Sequence, residues 1–495
     1  MNPFAHAIYV LSAAAIASTV PASAFSGGAG VFLTLGVIGL WRYSWALVNF
    51  VRAHVYIRIA YPRRRAAAEA LYAARRPAHA FFLATSYKIE AAITSRVYRS
   101  IFLAARRSPG GSTVVASVVD LADERLIRAV AAQVLAGTNT VEVVIDRIDG
   151  TGKRDALATS LRSIARRYPS ADDVVLLIDG DTQIPEDIVE RAAPFFANGK
   201  VGALTTHERA EIDDTPLFRD WFKLRFTQRQ MMMSAVALGR RVLTLTGRMS
   251  VFRADLATNP EFIASVEQDY IDHWRLGRVK FLTGDDKSTW FWLLKHGYEM
   301  AYLPDVACVS METQPKPGFI ESAVTLMRRW FGNMLRTNGR ALALSPTRIG
   351  PFAWWSILDQ RVSMWTTLTA PVGIVLFSVF VDPLIAVAYI AWVMATRYAY
   401  CWLLASFGGP FPITYPFLLY FGQLFGAAIK TSVMFRLDRQ RWTRQSATSV
   451  NNSAGRAGRV RAISSSYMHV LALGLLVAGV IFVTGLLSPF PIHAN

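Results

Sequence analysis

The sequence predicts an α/β domain built on a parallel sheet, inserted between N-terminal and C-terminal groups of membrane-spanning helices. Three observations lead there. Long apolar stretches are confined to the two ends of the 495-residue chain. The polar middle alternates short β-branched runs with helical patterns, and arginines gather where that middle begins.

The N-terminal part, residues 1–51, carries Ala5–Phe25 and Val31–Val51. Each approaches or exceeds the roughly 18–20 apolar residues that a bilayer-spanning helix needs. The first stretch ends in PASAF, Pro21–Phe25, which resembles a signal-peptidase site. MNPFAH supplies no Lys or Arg to open a signal peptide, so an uncleaved span is expected. Arg63, Arg64, Arg65, Arg75, Arg76, Arg106 and Arg107 follow the second stretch. They place the polar segment 52–350 in the cytoplasm by the positive-inside rule.

Within that segment four runs read as buried strands: Thr113–Val119, Val141–Ile145, Val174–Ile178 and Val201–Thr206. Helical patterns follow the first three, over Asp123–Leu135, Lys153–Arg167 and Glu186–Asn198. Alternation of this kind predicts a parallel sheet covered on both faces. In such sheets ligands sit beyond the carboxyl ends of the strands.

Residues 351–495 supply Met364–Val381, Leu384–Phe407, Phe411–Phe435 and Tyr467–Leu487. Asp359 and Arg361, flanked by Trp354, Trp355 and Trp365, suggest an interfacial helix before the first of them. A basic loop, 436–463, contains Arg436, Arg439, Arg441, Arg444, Arg456, Arg459 and Arg461, which mark it as cytoplasmic. Three full spans between Gly350 and Phe435 would leave that loop outside. Phe411–Phe435 is therefore expected to lie along the interface or re-enter, with Pro410, Pro412 and Pro416 breaking its start and Lys430 inside it. Ser446–Ala457 is rich in Ser, Asn and Gly and reads as a mobile loop.

The chain is 53% hydrophobic with a formal net charge of +18. That charge suits anionic lipid, nucleic acid, or an anionic substrate or product. No nucleic-acid recognition module or basic-aromatic stripe accompanies it, so nucleic acid is not expected. Two cysteines, Cys308 and Cys401, are too few for a disulfide framework or a cysteine-rich metal site.

Three motifs can carry chemistry. LLIDGDTQIP places Asp179 and Asp181 two apart at a strand end, with Gly180 between them letting the backbone approach a bulky ligand. Such a pair suits a hard divalent ion that keeps positions open for phosphate oxygens, although a turn with solvated acids has the same spelling. In DRIDGTGKRDAL, Lys153 and Arg154 open a helix after Gly150 and Gly152, where an anion or plain solvent can sit; the spacing is not a Walker A loop. In FLTGDDKSTWFWLLKHG, Asp285 and Asp286 precede an aromatic helix. Acids are welcome at a helix start for the macrodipole alone.

VVASVVD, GTGKRDALA, LLIDGDTQIP, LTGRMSVFR, TGDDKST and LMRRW occur in the order found in processive family 2 glycosyltransferases, the membrane synthases of cellulose, chitin, hyaluronan and alginate. The resemblance runs from about Gly30 to Leu487 and is densest between Asp172 and Asn338. GTGKRDALA, TGDDKSTWFWLLKHGYEMAYLPD and LMRRWFGNMLRTN are most similar to the alginate-synthesising branch. The resemblance implies a GT-A (Rossmann-like) catalytic domain beneath a channel formed by the chain's own membrane helices.

It also implies roles. Asp120 would be the first nucleotide-binding acid and Asp146 (or Asp149) the next, although the usual DDGS form is absent. Lys153, Arg328 and Arg329 would face the donor diphosphate. Asp179 and Asp181 would hold Mg2+ or Mn2+. Gly247, Arg248 and Trp330 would meet the acceptor, and Asp286, with Asp285 beside it, would be the general base. Leu326 stands where the family usually has Gln, which argues against a standard cellulose synthase.

The implied reaction is attack by a 4-hydroxyl of the growing chain on a GDP-mannuronate donor, with inversion to β-1,4-linked polymannuronate. His207, Arg209, Arg248 and Arg336 are candidates to read the uronate carboxylates. Rival expectations are a UDP-sugar synthase of the same class and an inactive export scaffold. No cyclic-dinucleotide motif is apparent, since Arg456 occupies the glycine position after Asn451–Ser453. The resemblance implies a separate PilZ-domain membrane partner that binds cyclic di-GMP, a secretion complex, and a bacterial inner-membrane location. In synthases of this class the region of the basic loop can close over the donor site.

Overall fold

The computed structural model describes residues 2–21, 29–440 and 455–486. Most of the PASAF segment, Asn451–Ser453, Arg441, Arg444 and the Ser446–Ala457 loop up to residue 454 lie outside these residues.

A helix over Pro3–Ser18 starts on Asn2, whose Oδ1 accepts from the amides of Phe4 and Ala5 at 3.2 and 3.4 Å. A second helix, Ala29–Val55, continues through a π-helical turn, Tyr56–Ala60, into Tyr61–Tyr72. Near the C-terminus the helices Pro351–Phe380, Leu384–Gly408 and Tyr415–Met434, and Gly458–Thr484 within the last helix, are long and apolar enough to cross a membrane.

Two C-terminal expectations change, and a third loses part of its ground. Asp359, Arg361 and the three tryptophans are not on a separate interfacial helix. They occupy the first half of the continuous Pro351–Phe380 helix, which runs through Pro371. Pro416 sits in the first turn of Tyr415–Met434, where a missing N–H breaks no helical bond. The prolines thus start that helix rather than interrupt it, and its length and composition qualify it to cross. Arg456, Arg459 and Arg461 lie on the first turns of the last helix, Arg456–Thr484, not in a loop.

Between the two ends lies the sheet, with strands β1 (Ala80–Thr85), β2 (Ser112–Val118), β3 (Val141–Arg147), β4 (Val174–Asp179), β5 (Thr182–Gln183), β6 (Val201–Glu211), β7 (Met249–Arg253) and β10 (Glu299–Met311). Their order is β3-β2-β1-β4-β7-β6-β10-β5. β1 to β4 pair in parallel, and β6 pairs in parallel with β10. The all-parallel expectation fails at β7, which runs antiparallel to both β4 and β6, and at the short edge strand β5. A two-stranded hairpin, β8 (Tyr270–His273) and β9 (Gly277–Lys280), stands apart.

The antiparallel strand has a consequence for chemistry. β7 begins beside the place where β4 ends, so the loop entering β7 joins the carboxyl edge of the parallel strands. The Asp179 amide donates to the Arg248 carbonyl at 2.9 Å.

Two apolar cores form. One lies around the sheet, with Phe82, Val115, Leu176 and Val251 fully buried. The other joins the helices Pro216–Ala237 and Phe319–Leu342 to the membrane helices through Phe218, Trp221, Phe222, Leu326, Met327, Leu404 and Leu418.

Candidate active site

The Lys153–Ala165 helix starts after Gly150 and Gly152, which hold φ of 72° and 149°. Only glycine is at ease there, and the loop delivers Lys153 across the sheet edge. Its Nζ lies 2.6 Å from Asp179 Oδ1 and 3.0 Å from Asp285 Oδ2. One ammonium therefore ties the end of β4 to the start of the Asp285–Lys295 helix.

Gly284, at φ 87°, caps that helix. An added Cβ would meet the Asn333 side chain at 3.0 Å, so the turn is both strained and filled for any other residue. Thr283 donates to Asn333 Oδ1 at 2.8 Å, fastening the turn to the helix that carries Trp330. Behind it, Arg154 donates to the carbonyls of Val266 and Thr283 and to Ser288 Oγ. Ser288 donates to Asp269, which Arg340 grips through both nitrogens.

Gly180 lines the cavity of this site and has a second duty: a Cβ there would meet Thr85 O and Ile89 Cδ1 at 2.6 Å, so glycine also serves close packing against β1. Gly247 faces the site itself, where a Cβ would sit 3.4 Å from Lys153 Nζ and 3.5 Å from Asp179 Oδ2.

Electrostatics separate the acids. Burial, reinforced by Asp181 and Asp285 against Lys153, pushes Asp179 up to about 6. Burial also opposes ionisation of Asp285, but Lys153 and Arg154 outweigh it and hold that carboxyl below its usual range. Asp286 moves the other way, raised by burial and by the charge on Asp285. A raised carboxyl next to a depressed one is the pattern that divides base from electrostatic support.

A single cavity of about 1160 Å³ gathers most of the expected residues: Lys153, Asp179, Asp181, Gly247, Arg248, Asp285, Asp286, Arg329 and Trp330. Trp330 stacks on Trp221 with ring centroids 5.7 Å apart at 21°, so it is braced from behind. Asp120, Asp146 and Arg328 do not line the cavity. Asp120 is exposed at the start of the Leu121–Val134 helix, and Asp146 lies on β3, the outermost parallel strand. Arg328 is exposed, one residue around the helix from Arg329.

The expected carboxylate readers are also displaced. His207, Arg209 and Arg336 lie outside the cavity lining. Arg248 lines it, but its guanidinium is committed to Glu312 at 2.5 Å and Glu208 at 3.3 Å. Burial works against its charge, and those two acids more than compensate. Glu208, Glu312, Trp221 and Arg225 were not singled out by sequence, and Lys430 only as a charge bearing on topology. Only their neighbours in space identify them, apart from Lys430, which stands out as a charge in an apolar stretch.

The residues fit a divalent cation. Asp179 and Asp181 line the same cavity, and Asp179 already has a cationic partner there in the Lys153 ammonium. Among the described residues no group of three His, Cys, Asp or Glu converges. Remaining ligands would come from phosphate oxygens, the arrangement Mg2+ and Mn2+ favour at diphosphate sites.

Comparison with known proteins places the chain. Residues 77–333 match a family model described as "Glycosyltransferase like family 2". The chain is 41% identical over 475 residues to glycosyltransferase alg8 of Pseudomonas syringae pv. tomato, covering 96% of this chain and 95% of that protein. It is 42% identical over 432 residues to glycosyltransferase alg8 of Azotobacter vinelandii, covering 87% of each. A solved mannosyltransferase of Pyrobaculum calidifontis, in complex with GDP-Man and Mn2+, is 18% identical over 78% of this chain and 98% of that one. Its TM-score of 0.43 is too low to bear on the site.

Proposed function

Because the chain belongs to the family 2 glycosyltransferases, in their alginate-synthase-like alg8 branch, we propose that it polymerises mannuronic acid from GDP-mannuronate into β-1,4-linked polymannuronate and passes the chain across the bacterial inner membrane. The GT-A domain, residues 52–350, works on the cytoplasmic side. The observation that carries this reading is the single cavity, which runs from Asp179 and Lys153 past Asp286 and Trp330 to Thr367, Gly422 and Lys430 on the membrane helices.

In this reading the donor diphosphate lies against the carboxyl edge of the sheet. Asp179 and Asp181 would hold Mg2+ or Mn2+, which would supply charge neutralisation on the leaving group. Lys153 and Arg329 add fixed positive charge on the same side. Trp330 offers a flat face to the terminal sugar of the growing chain, and Leu326, also in the lining, supplies only apolar contact. Asp286 accepts the proton of the attacking 4-hydroxyl. One displacement with no enzyme nucleophile inverts the anomeric centre. Activation comes through a separate PilZ-bearing membrane partner, with export through a secretion complex.

Membranes containing the full chain, offered radiolabelled GDP-mannuronate or UDP-sugars with Mg2+, decide the donor. Polymer from GDP-mannuronate alone is the expected result. Polymer from a UDP-sugar, and none from GDP-mannuronate, would overturn the reading.

A further inference from the structure

The half of the cavity that reaches the C-terminal apolar helices is unlike an apolar passage. Beyond Trp330 its wall contains Arg225, Lys430 and Arg42 as cations, with Asp359 as the acid, together with Ser363, Thr367, Tyr400 and Gln423. Arg42 and Asp359 form an ion pair with each other. Among the described residues, Arg225 and Lys430 make no hydrogen bond or ion pair with any carboxylate.

Their contacts are with ring faces. The Arg225 guanidinium lies 4.7 Å from the Trp330 ring centre and 5.2 Å from that of Trp221. Lys430 Nζ lies 4.8 Å from the Phe331 ring centre. Burial, and then the charge of Arg248, lowers Arg225 to about 10, which leaves it ionised at neutral pH. Gln423 adds a buried Oε1 with no hydrogen-bond partner among the described residues, a ready acceptor for a sugar hydroxyl.

Cations set among membrane helices are costly unless water or an anion meets them. Arg225 lies against the acceptor platform Trp330, and Lys430 lies against its neighbour Phe331, both in the wall of the same cavity. A neutral polysaccharide would offer them hydroxyl acceptors but no counter-charge. A polymer with one carboxylate per sugar supplies counter-charges at regular spacing.

We propose that Arg225 and Lys430, backed by the Arg42–Asp359 pair, form a carboxylate-reading lane that selects a polyuronate over a neutral glycan as the nascent chain leaves Trp330. This rests on the polymannuronate reading and adds the residues that enforce it. The rings under the cations hold them without neutralising them, so each carboxylate meets a charge-assisted contact and then moves on.

The test uses full-length protein in membranes, with short oligomannuronate and neutral oligomannose of equal length as competitors of polymer synthesis. The wild type is expected to be inhibited about tenfold more strongly by the oligouronate, the scale of a hydrogen-bonded charge contact. Lys430→Gln and Arg225→Gln are expected to bring that ratio toward one and shorten the product, while Lys430→Arg keeps both. A wild-type ratio near one overturns the proposal without any variant. Unchanged ratios in the Gln variants, with polymer still made from GDP-mannuronate, overturn the lane but leave the donor reading standing. Polymer made solely from a UDP-sugar removes the donor reading and the lane with it.

Discussion

At the scale of single residues, the proposed chemistry depends on Asp286 and its neighbour. If Asp286 removes the hydroxyl proton, Asp286→Asn lowers polymer formation by roughly 10²–10⁴-fold, the usual value of a general base. Protein level and nucleotide binding stay near normal, and a rate within a few fold of wild type would exclude this role. The pH dependence follows from direction. Burial and Asp285 both raise Asp286, so its active, ionised form is lost on acidification earlier than for an ordinary carboxylate. The acid limb of kcat therefore lies above the usual range near pH 4. Replacing Asp285 by Asn removes the second cause, and the limb is expected to move to lower pH even though the rate also falls. A limb that stays in place or moves upward in a pH–rate profile would contradict the assignment. Gly284 makes a stability claim at the same scale. With φ at 87° and Asn333 against its open side, Gly284→Ala costs about 1–2 kcal/mol from the left-handed backbone alone. Thermal unfolding in detergent reads that loss.

At the scale of elements, what matters is how the acid-bearing helix is held. Asp269, before β8, accepts from Ser288 on that helix and from Arg340 on the helix of Trp330. Removing the acid leaves Arg340 without its ion-pair partner and takes from Arg154 one of its three nearby acids, the others being Asp285 and Asp286. Asp269→Ala is expected to cost about 3–5 kcal/mol, as breaking a largely buried pair does, whereas Arg340→Lys keeps the charge and loses only the forked grip. Equal melting temperatures for Asp269→Ala and wild type would refute the bracing role. The same elements show what was legible in the sequence. β2, β3, β4 and β6 are dense in valine, isoleucine or threonine and announced themselves, as did the helix starts at Lys153 and Asp285. β1, AFFLAT, is buried but carries one β-branched residue. β10 holds Pro304, and its pairing with β6 shifts register between Leu303 and Ala307. Neither gave a clean strand pattern. The direction of β7 was not legible at all, because strand polarity is set by the connecting chain and not by side-chain alternation. That one reversal explains how Gly247 and Arg248 reach Asp179. The motif residues were readable because their types are unusual in their places, while Glu208, Glu312 and Arg225 gain meaning only from neighbours supplied by other elements.

At the scale of the whole molecule, the glycosyltransferase domain and the membrane helices are not two bodies joined by a linker. The Pro216–Ala237 helix lies along Ala29–Val55, and the Phe319–Leu342 helix lies along Tyr415–Met434. The second apolar core belongs to both sides: Phe218, Trp221, Phe222 and Leu326 from the domain meet Cys401, Leu404 and Leu418 from the membrane helices and Phe411 from the turn between two of them. Trp330, which bears on the acceptor, stacks on Trp221 within this shared layer. Cutting the chain at residues 52 and 350 would expose those side chains together, and contiguous apolar patches of that kind drive association. At about 25 cal/mol per Å² of apolar surface returned to water, even a few hundred Å² costs several kcal/mol, comparable to the whole stability of a typical domain. The excised segment 52–350 is therefore expected to aggregate in detergent-free buffer and to lose Trp330 from its braced position. Adding polar residues in place of Phe218, Phe222 and Leu326 should restore solubility without restoring transfer to an acceptor. Size-exclusion chromatography and donor-dependent transfer on the same samples separate the two effects. A soluble, monomeric and active 52–350 fragment would show that the acceptor platform stands without the membrane helices, against the continuity of cavity and core.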